Sequence, residues 1–192
     1  MKDINSKFTI DLPLTESDFS AVLEIVNKNI ARDDKRDIEY YKSASVGEVL
    51  VAKDGQKVIG AIKQSRPGKV INEIGEEYLD LENIKVVKND IGYISWLAVD
   101  KKYQKRKIGR LLIDNAMKYQ KEWGSKAVAV HSWQGSPGSA SQKLFEKTGF
   151  KPLKMHLSPW KEYSEKAGPK SYWCVVCGNP CVCDELEMIK YI

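Results

Sequence analysis

Histidine is scarce in this chain: His131 and His156 are the only two among 192 residues, so imidazole chemistry has few places to reside. Each follows an apolar stretch and reads first as a strand-borne structural residue, with His131 the more interesting because it ends its strand. Cysteine is absent before position 174, after which four occur within ten residues. No apolar run approaches membrane-spanning length, and the opening Met1-Lys2-Asp3-Ile4-Asn5 lacks the apolar core of a secretion signal. A cytoplasmic location without a membrane partner is therefore the expectation. There is no internal repeat or low-complexity tract. What is there is ordinary: 42% hydrophobic and 30% charged residues, enough for one domain over residues 1–192 with a sizeable core.

The net charge is +5, and much of the excess sits in one place, as Lys101, Lys102, Lys105, Arg106, Lys107 and Arg110. This cluster follows the apolar run Tyr93-Ile94-Ser95-Trp96-Leu97-Ala98-Val99 and precedes an amphipathic helix. A strand, a basic turn and a helix start make an anion site, because free backbone N–H groups and the positive end of the helix dipole converge there. Nucleic acid and a phosphate-bearing cofactor both meet that description. One localised cluster suits a small anion better than an extended phosphate track.

The loop Gln104-Lys105-Arg106-Lys107-Ile108-Gly109 resembles the cofactor loop of the GNAT superfamily of N-acetyltransferases, with Lys107 standing where the family usually has its first glycine. A lysine is expected to fit there with negative φ. The resemblance extends over most of the chain. Phe8 to Leu12 alternates like a strand, and Thr15-Glu16-Ser17-Asp18 opens a capped helix carrying Phe19, Val22, Leu23, Ile25 and Val26. Val49–Ala52 and Val58–Ile62 flank Asp54-Gly55, a hairpin signal. Ala127 to His131 reads as a buried strand, Ala140 to Lys147 as a helix ending at Thr148-Gly149-Phe150, and Leu186 to Ile192 as a closing strand. The expected fold is α/β (α+β): a mixed, mostly antiparallel central sheet flanked by helices and splayed at the cofactor strand.

Cys174, Cys177, Cys181 and Cys183 need a local explanation. Two pairs separated by a turn would surround one tetrahedral Zn²⁺, and Cys174-Val175-Val176-Cys177-Gly178 resembles a zinc knuckle. An iron–sulfur cluster, disulfides or unligated thiols are the alternatives. Four thiolates leave no open position, so such a zinc is structural. Residues 157–184 then form a metal-stapled insertion, with Trp160, Tyr163, Tyr172 and Trp173 as either an acceptor-site wall or its own small core. The link from Ser65 to Asp90, with Glu73, Glu76 and Glu77, is a second candidate wall.

The resemblance implies direct attack of an amine on acetyl-CoA in a ternary complex, with a small-molecule or peptide amine as acceptor and a homodimer as a possible assembly. It implies that Leu97, Ala98 and Val99 offer main-chain groups to the pantetheine arm, and that Gln104, Lys105, Arg106, Lys107, Ile108, Gly109 and Arg110 hold the pyrophosphate. The family's proton-donating tyrosine falls at Phe145, which stays a cofactor contact but has no proton to give. Ser141, one turn earlier, is the substitute acid, and Gly138 stands at a frequent asparagine position. Tyr93 falls where histone-type relatives carry their base. Two other functions fit the same residues: an acyl-CoA-binding sensor or adaptor without catalysis, and a zinc-containing nucleic-acid-binding protein.

Overall fold

The computed structural model describes residues 7–135 and 139–192; Gly138 and the opening pentapeptide lie outside them. Strand β1 (Thr9–Asp11) leads to α1 (Glu16–Asn29), whose start is set by a capping box: Asp18 N–H donates to Thr15 Oγ1, and the Asp18 carboxylate accepts from Thr15 N–H. Short β2 (Ala31–Asp33) and α2 (Ile38–Lys42) precede the hairpin of β3 (Val49–Asp54) and β4 (Lys57–Ser65). After α3 (Val70–Ile74) come β5 (Ile91–Val99), α4 (Ile108–Glu122), β6 (Ala127–Trp133), α5 (Ala140–Lys147) and β7 (Lys151–His156). The chain closes with α6 (Lys161–Ser171), interrupted at Gly168, then β8 (Tyr172–Cys174) and β9 (Glu185–Tyr191).

Seven strands form one sheet in the order β1-β3-β4-β5-β6-β9-β7, in which only β5 and β6 run parallel. The parallel ladder covers Ile91–Ile94 against Ala127–Val130 and stops there. On its other side β5 pairs Lys63 with Trp96 but Gln64 with Ile94, so Ser95 is an extra residue with no partner across β4. A bulge bends the strand that carries it, and here the bend coincides with the end of the parallel ladder. Beyond Ile94, β5 is bonded to β4 alone and β6 to β9 alone, which opens a gap between them.

Apolar side chains fill both faces. Leu112, Ile113, Ala116 and Met117 of α4 and Phe145 of α5 cover one face through Ile94, Val128, Val130 and Met188. On the other, α1 packs Val22, Ile25 and Val26 on Val49, Val51 and Ala61, while Val70, Leu79 and Ile84 cover Ile91, Ala127 and Ala129. The end of α4 is locked to β4 by a buried amide network, Gln120 Nε2 donating to Gln64 Oε1 at 2.9 Å and Ser125 Oγ to Gln120 Oε1 at 2.7 Å. Helix α5 ends as its sequence signalled. Gly149 has φ +93, its N–H bonds Glu146 O, and Phe150 N–H bonds Phe145 O, a Schellman cap sealed by the Phe145 and Phe150 rings 5.2 Å apart.

Residues 157–184 stand apart from the large sheet. Strand β8 pairs with β2 in a separate two-stranded sheet, Ala31 opposite Cys174, and this knob has its own small core of Ala31, Tyr172, Cys174, Cys181 and Cys183.

Candidate active site and four-cysteine centre

The loop between β5 and α4 turns on two non-glycine residues with positive φ, Lys105 at +61 and Lys107 at +65. Lys107 therefore does not take the negative φ expected of a lysine there; it keeps the left-handed backbone that a glycine adopts freely, at a cost of about 1–2 kcal/mol. Left-handed residues alternating with ordinary ones turn successive N–H groups to one side, as in anion-binding nests. Lys107 precedes the first turn of α4, whose earliest intrahelical bond is Leu111 N–H to Lys107 O, so the N–H groups of Ile108, Gly109 and Arg110 point out of the helix start. Gln104 braces the loop by donating from Nε2 to Val99 O at 3.0 Å, and Arg106 stacks over the Tyr103 ring at 5.2 Å. Ile108 is 1% exposed, so only its backbone is available to a ligand. A Cβ on Gly109 would stand 2.9 Å from Leu144 Cδ2, which makes this glycine a packing residue between α4 and α5. Arg110 is exposed and pairs with Asp114 at 3.4 Å.

The side chains read as acid and base lie on opposite faces of the sheet. Ser141 accepts a hydrogen bond from Ser132 Oγ at 3.2 Å on the α4–α5 face. Phe145, on the same helix, is 4% exposed and belongs to the core. Tyr93 and His131 occupy the other face, on either side of the point where β5 and β6 part. The Tyr93 hydroxyl lies 2.9 Å from His131 Nδ1, and His131 Nε2 lies 2.8 Å from the carbonyl oxygen of Tyr78. A carbonyl only accepts, so Nε2 carries the proton and Nδ1 receives one from Tyr93. Burial, with His156 beside it, pulls the His131 imidazole down to about 4, against the opposing Tyr78 carbonyl, so it is neutral near pH 7. The Tyr93 phenol is raised well above 10, first by burial and then by the charges of Glu185, Glu73 and Glu187.

These two groups open into a cavity of about 200 Å³ whose remaining walls are Glu73, Ile74, Tyr78, Pro159, Trp160, Tyr163 and Glu185. The cavity is assembled from five separate pieces of sequence. Glu73 and Tyr78 come from the Ser65–Asp90 link, which is pinned to the sheet by His131 and by Asp80 N–H donating to both oxygens of Glu187 at 3.1 Å. Glu187 in turn meets His156 Nε2 at 3.0 Å. Trp160 and Tyr163 come from the knob, so they do form a wall, whereas Tyr172 is buried in the knob's core and Trp173 stays half exposed.

Glu73 is neutralised by Lys63 at 3.2 Å and held by the hydroxyls of Ser65 and Ser95. Glu185 accepts from Trp160 Nε1 at 2.9 Å, and no cation among the described residues pairs with it. Burial pushes its carboxyl up to about 7, the Trp160 hydrogen bond opposing. Glu185 and Tyr78 were not picked out from sequence. The available signal was the alternation Glu185-Leu186-Glu187-Met188, which places two acids on one side of a strand whose neighbours are buried.

The four thiols of the knob converge: Cys177 and Cys183 sulfurs are 3.4 Å apart, Cys177 and Cys181 3.7 Å, Cys174 and Cys183 3.8 Å, and all four lie within 4.8 Å of one another. A disulfide sets its sulfurs about 2.05 Å apart, so these are free thiols. A tetrahedron of sulfurs each about 2.3 Å from a zinc has edges of about 3.8 Å, and the observed spacing fits it. The Cys174 thiol is drawn well below its ordinary range, first by the Cys181 side chain and then by the N–H groups of Cys177 and Val176, the arrangement of a knuckle. Val182 N–H reaches Cys177 Sγ at 3.4 Å.

No curated protein sequence matches the chain. Solved structures do. A GCN5-related N-acetyltransferase from Kribbella flavida superposes with TM-score 0.63 at 14% identity, covering 97% of this chain and 98% of that one. A ribosomal-protein-alanine N-acetyltransferase from Brucella melitensis gives 0.62 at 17% identity, covering 96% and 99%. A chain of the NatC complex bound to Gag peptide and CoA gives 0.61 at 16% identity, covering 97% and 99%. At these identities the likeness is one of fold. The sequence itself matches the acetyltransferase (GNAT) family over residues 17–150, which spans the splayed strands, the basic loop and helix α5. On that match and that architecture, the chain belongs to the acetyltransferase (GNAT) family.

Proposed function

We propose that this protein is an acetyl-CoA-dependent N-acetyltransferase that passes the acetyl group to a primary amine in a ternary complex, and that its four cysteines hold one structural Zn²⁺. The observation that carries this reading is the gap between β5 and β6, with the nest-like loop at the head of α4 nearby and the Tyr93–His131 pair in a cavity on the far face. A thioester lying in the gap would present its carbonyl to an amine in that cavity, and orientation of the two reactants supplies a large part of such a rate enhancement.

The pyrophosphate would rest on the N–H groups of Ile108, Gly109 and Arg110, with Lys105, Arg106 and Lys107 as charged neighbours. The main chain from Leu97 to Val99, which has no strand beside it on the β6 side and whose Val99 carbonyl accepts from Gln104, would accompany the pantetheine arm. A likeness to a structure that contains CoA agrees with this assignment. The amine must lose its proton to attack. Tyr93 is too weak an acid to act as a phenolate and His131 too weak a base to keep a proton, so the Tyr93 oxygen would orient an amine that has already lost its proton, by accepting its N–H. Ser141, on the cofactor face, is the hydroxyl assigned to the departing thiolate. Zinc, closed off by four thiolates, would hold the knob and leave the chemistry to the cleft.

Phe145 is the observation that favours a second reading, an acyl-CoA-binding sensor, because a core phenylalanine replaces the family's proton donor. Native mass spectrometry with acetyl-CoA, followed by thiol release in the presence of amines, separates the two. An acetyl-CoA adduct with one zinc retained and amine-dependent thiol release supports the enzyme. An adduct without release at any amine favours the sensor, and no adduct removes both.

A further inference from the structure

We propose that the cavity takes a short aliphatic diamine, one nitrogen at Tyr93 and His131 and the other, as an ammonium, against the carboxylate of Glu185. This rests on the acetyltransfer reading for which nitrogen reacts, and on geometry for the rest. Every other polar group on the wall has a partner. Tyr93 donates to His131, Tyr78 donates to Pro159 O, and Tyr163 donates to Asp33. Glu73 is paired with Lys63. Glu185 alone is a carboxylate with one neutral donor, Trp160, and no cation among the described residues. A carboxylate left in that state inside an aromatic cavity is costly, and a ligand ammonium removes the cost.

The aromatic lining points to the same ligand. Trp160 and Tyr78 give a cation favourable ring surface and give methylenes an apolar one, with Tyr163 packed edge to face on Trp160 at 6.0 Å and carrying Lys35 over its own ring at 4.9 Å. Spacing limits the ligand's length. On β9 Glu187 lies opposite His131 and Glu185 opposite Trp133, so Glu185 sits two residues, about 7 Å, farther along the sheet, a separation suited to nitrogens joined by about three to five methylenes. A cavity of about 200 Å³ has room for a small chain of this length. A monoamine of the same length would leave Glu185 unpaired, as would a peptide amino terminus that carries no second cation.

The test is calorimetric titration of the zinc-replete protein, in the presence of CoA, with 1,4-diaminobutane, with butylamine and with an Ala-Ala-Ala peptide, repeated on Glu185→Gln and Glu185→Ala, whose folding is checked by circular dichroism. The expected result is diamine binding at least about tenfold tighter than butylamine, a preference lost in both variants. Equal binding of diamine and butylamine, tighter binding of the peptide, or a preference that survives either folded variant would overturn the proposal. Thiol release from acetyl-CoA is measured separately with the same amines. Glu185-dependent diamine binding without release would leave this inference standing and count against acetyl transfer; release with butylamine or peptide but no diamine preference would do the reverse.

Discussion

With zinc in the four-cysteine centre as proposed, removing it should weaken amine binding before it costs the fold or the cofactor. The knob, residues 157–184, contributes no side chain to any of the three clusters that fill the large sheet's faces. It is held instead by the four-cysteine cluster, by its own small core, by the short β2–β8 ladder and by hydrogen bonds such as Tyr163 to Asp33, Arg32 to Pro169 O and Trp160 to Glu185. Structural zinc contributes about 10–16 kcal/mol in small zinc-finger peptides, a large share of what holds a segment of this size. Cys177→Ser, or chelation, should therefore unfold the knob locally while β9 stays between β6 and β7. Trp160 and Tyr163 then leave the cavity. At about 1 kcal/mol or a little more for each aromatic contact, KM for the amine should rise roughly 30- to 100-fold. The affinity for acetyl-CoA should stay within about twofold, because the loop from Gln104 to Arg110 lies outside the knob. Metal analysis, calorimetry with acetyl-CoA and thiol-release kinetics at varied amine measure the three quantities. An unchanged amine KM in metal-free protein would refute the reasoning, as would full metal content in Cys177→Ser.

Three further outcomes are expected. A Cβ on Gly92 would stand 1.8 Å from Gln120 Oε1 and 2.8 Å from Ser125 Oγ, so Gly92→Ala should cost about 3 kcal/mol and lower Tm by about 6–12 °C in a thermal melt. At Lys107, whose φ is +65, glycine should be more stable than alanine by about 1 kcal/mol in urea unfolding, once the looser unfolded chain of glycine is set against the relief of strain; alanine equal to glycine would contradict the left-handed loop. His131 has its pKa lowered from 6.5 to about 4, so between those values the unfolded chain binds more protons and stability rises with pH. The contribution is complete above about pH 6.5 and falls away toward pH 4, by up to about 3 kcal/mol. The raised carboxyls of Glu185 and Glu187 slope the opposite way, which is why the measurement is the difference between the parent and His131→Asn, unfolded in urea at pH 4.5 and 7.

The order of elements was legible because it rests on local rules. Thr15 and Asp18 cap α1 wherever the helix packs, Gly149 stops α5 by its own φ, and Asp54-Gly55 turns the hairpin between two apolar runs. The basic loop and the convergence of Cys174, Cys177, Cys181 and Cys183 are also local, each contained in about ten residues. Lys107 shows where such rules give way: a lysine has no preference for positive φ, yet it takes that conformation at the start of α4. The short β2–β8 ladder was not legible, since strands of three residues carry too little pattern to distinguish.

The cavity beside Tyr93 and His131 was decided elsewhere. Tyr93, His131, Glu185, Trp160 and Tyr78 come from five separate elements, and nothing in the spacing between them along the chain says that they share one space. That follows from three tertiary facts: β9 inserted between β6 and β7, which sets Glu185 two residues beyond the level of His131; the Ser95 bulge, which parts β5 from β6; and the knob folding back beside the Ser65–Asp90 link. Side-chain chemistry and local conformation are properties of neighbours in sequence. Which carboxylate lacks a cation, and which aromatic faces it, depends on strand order and long-range packing, and those only the folded chain determines.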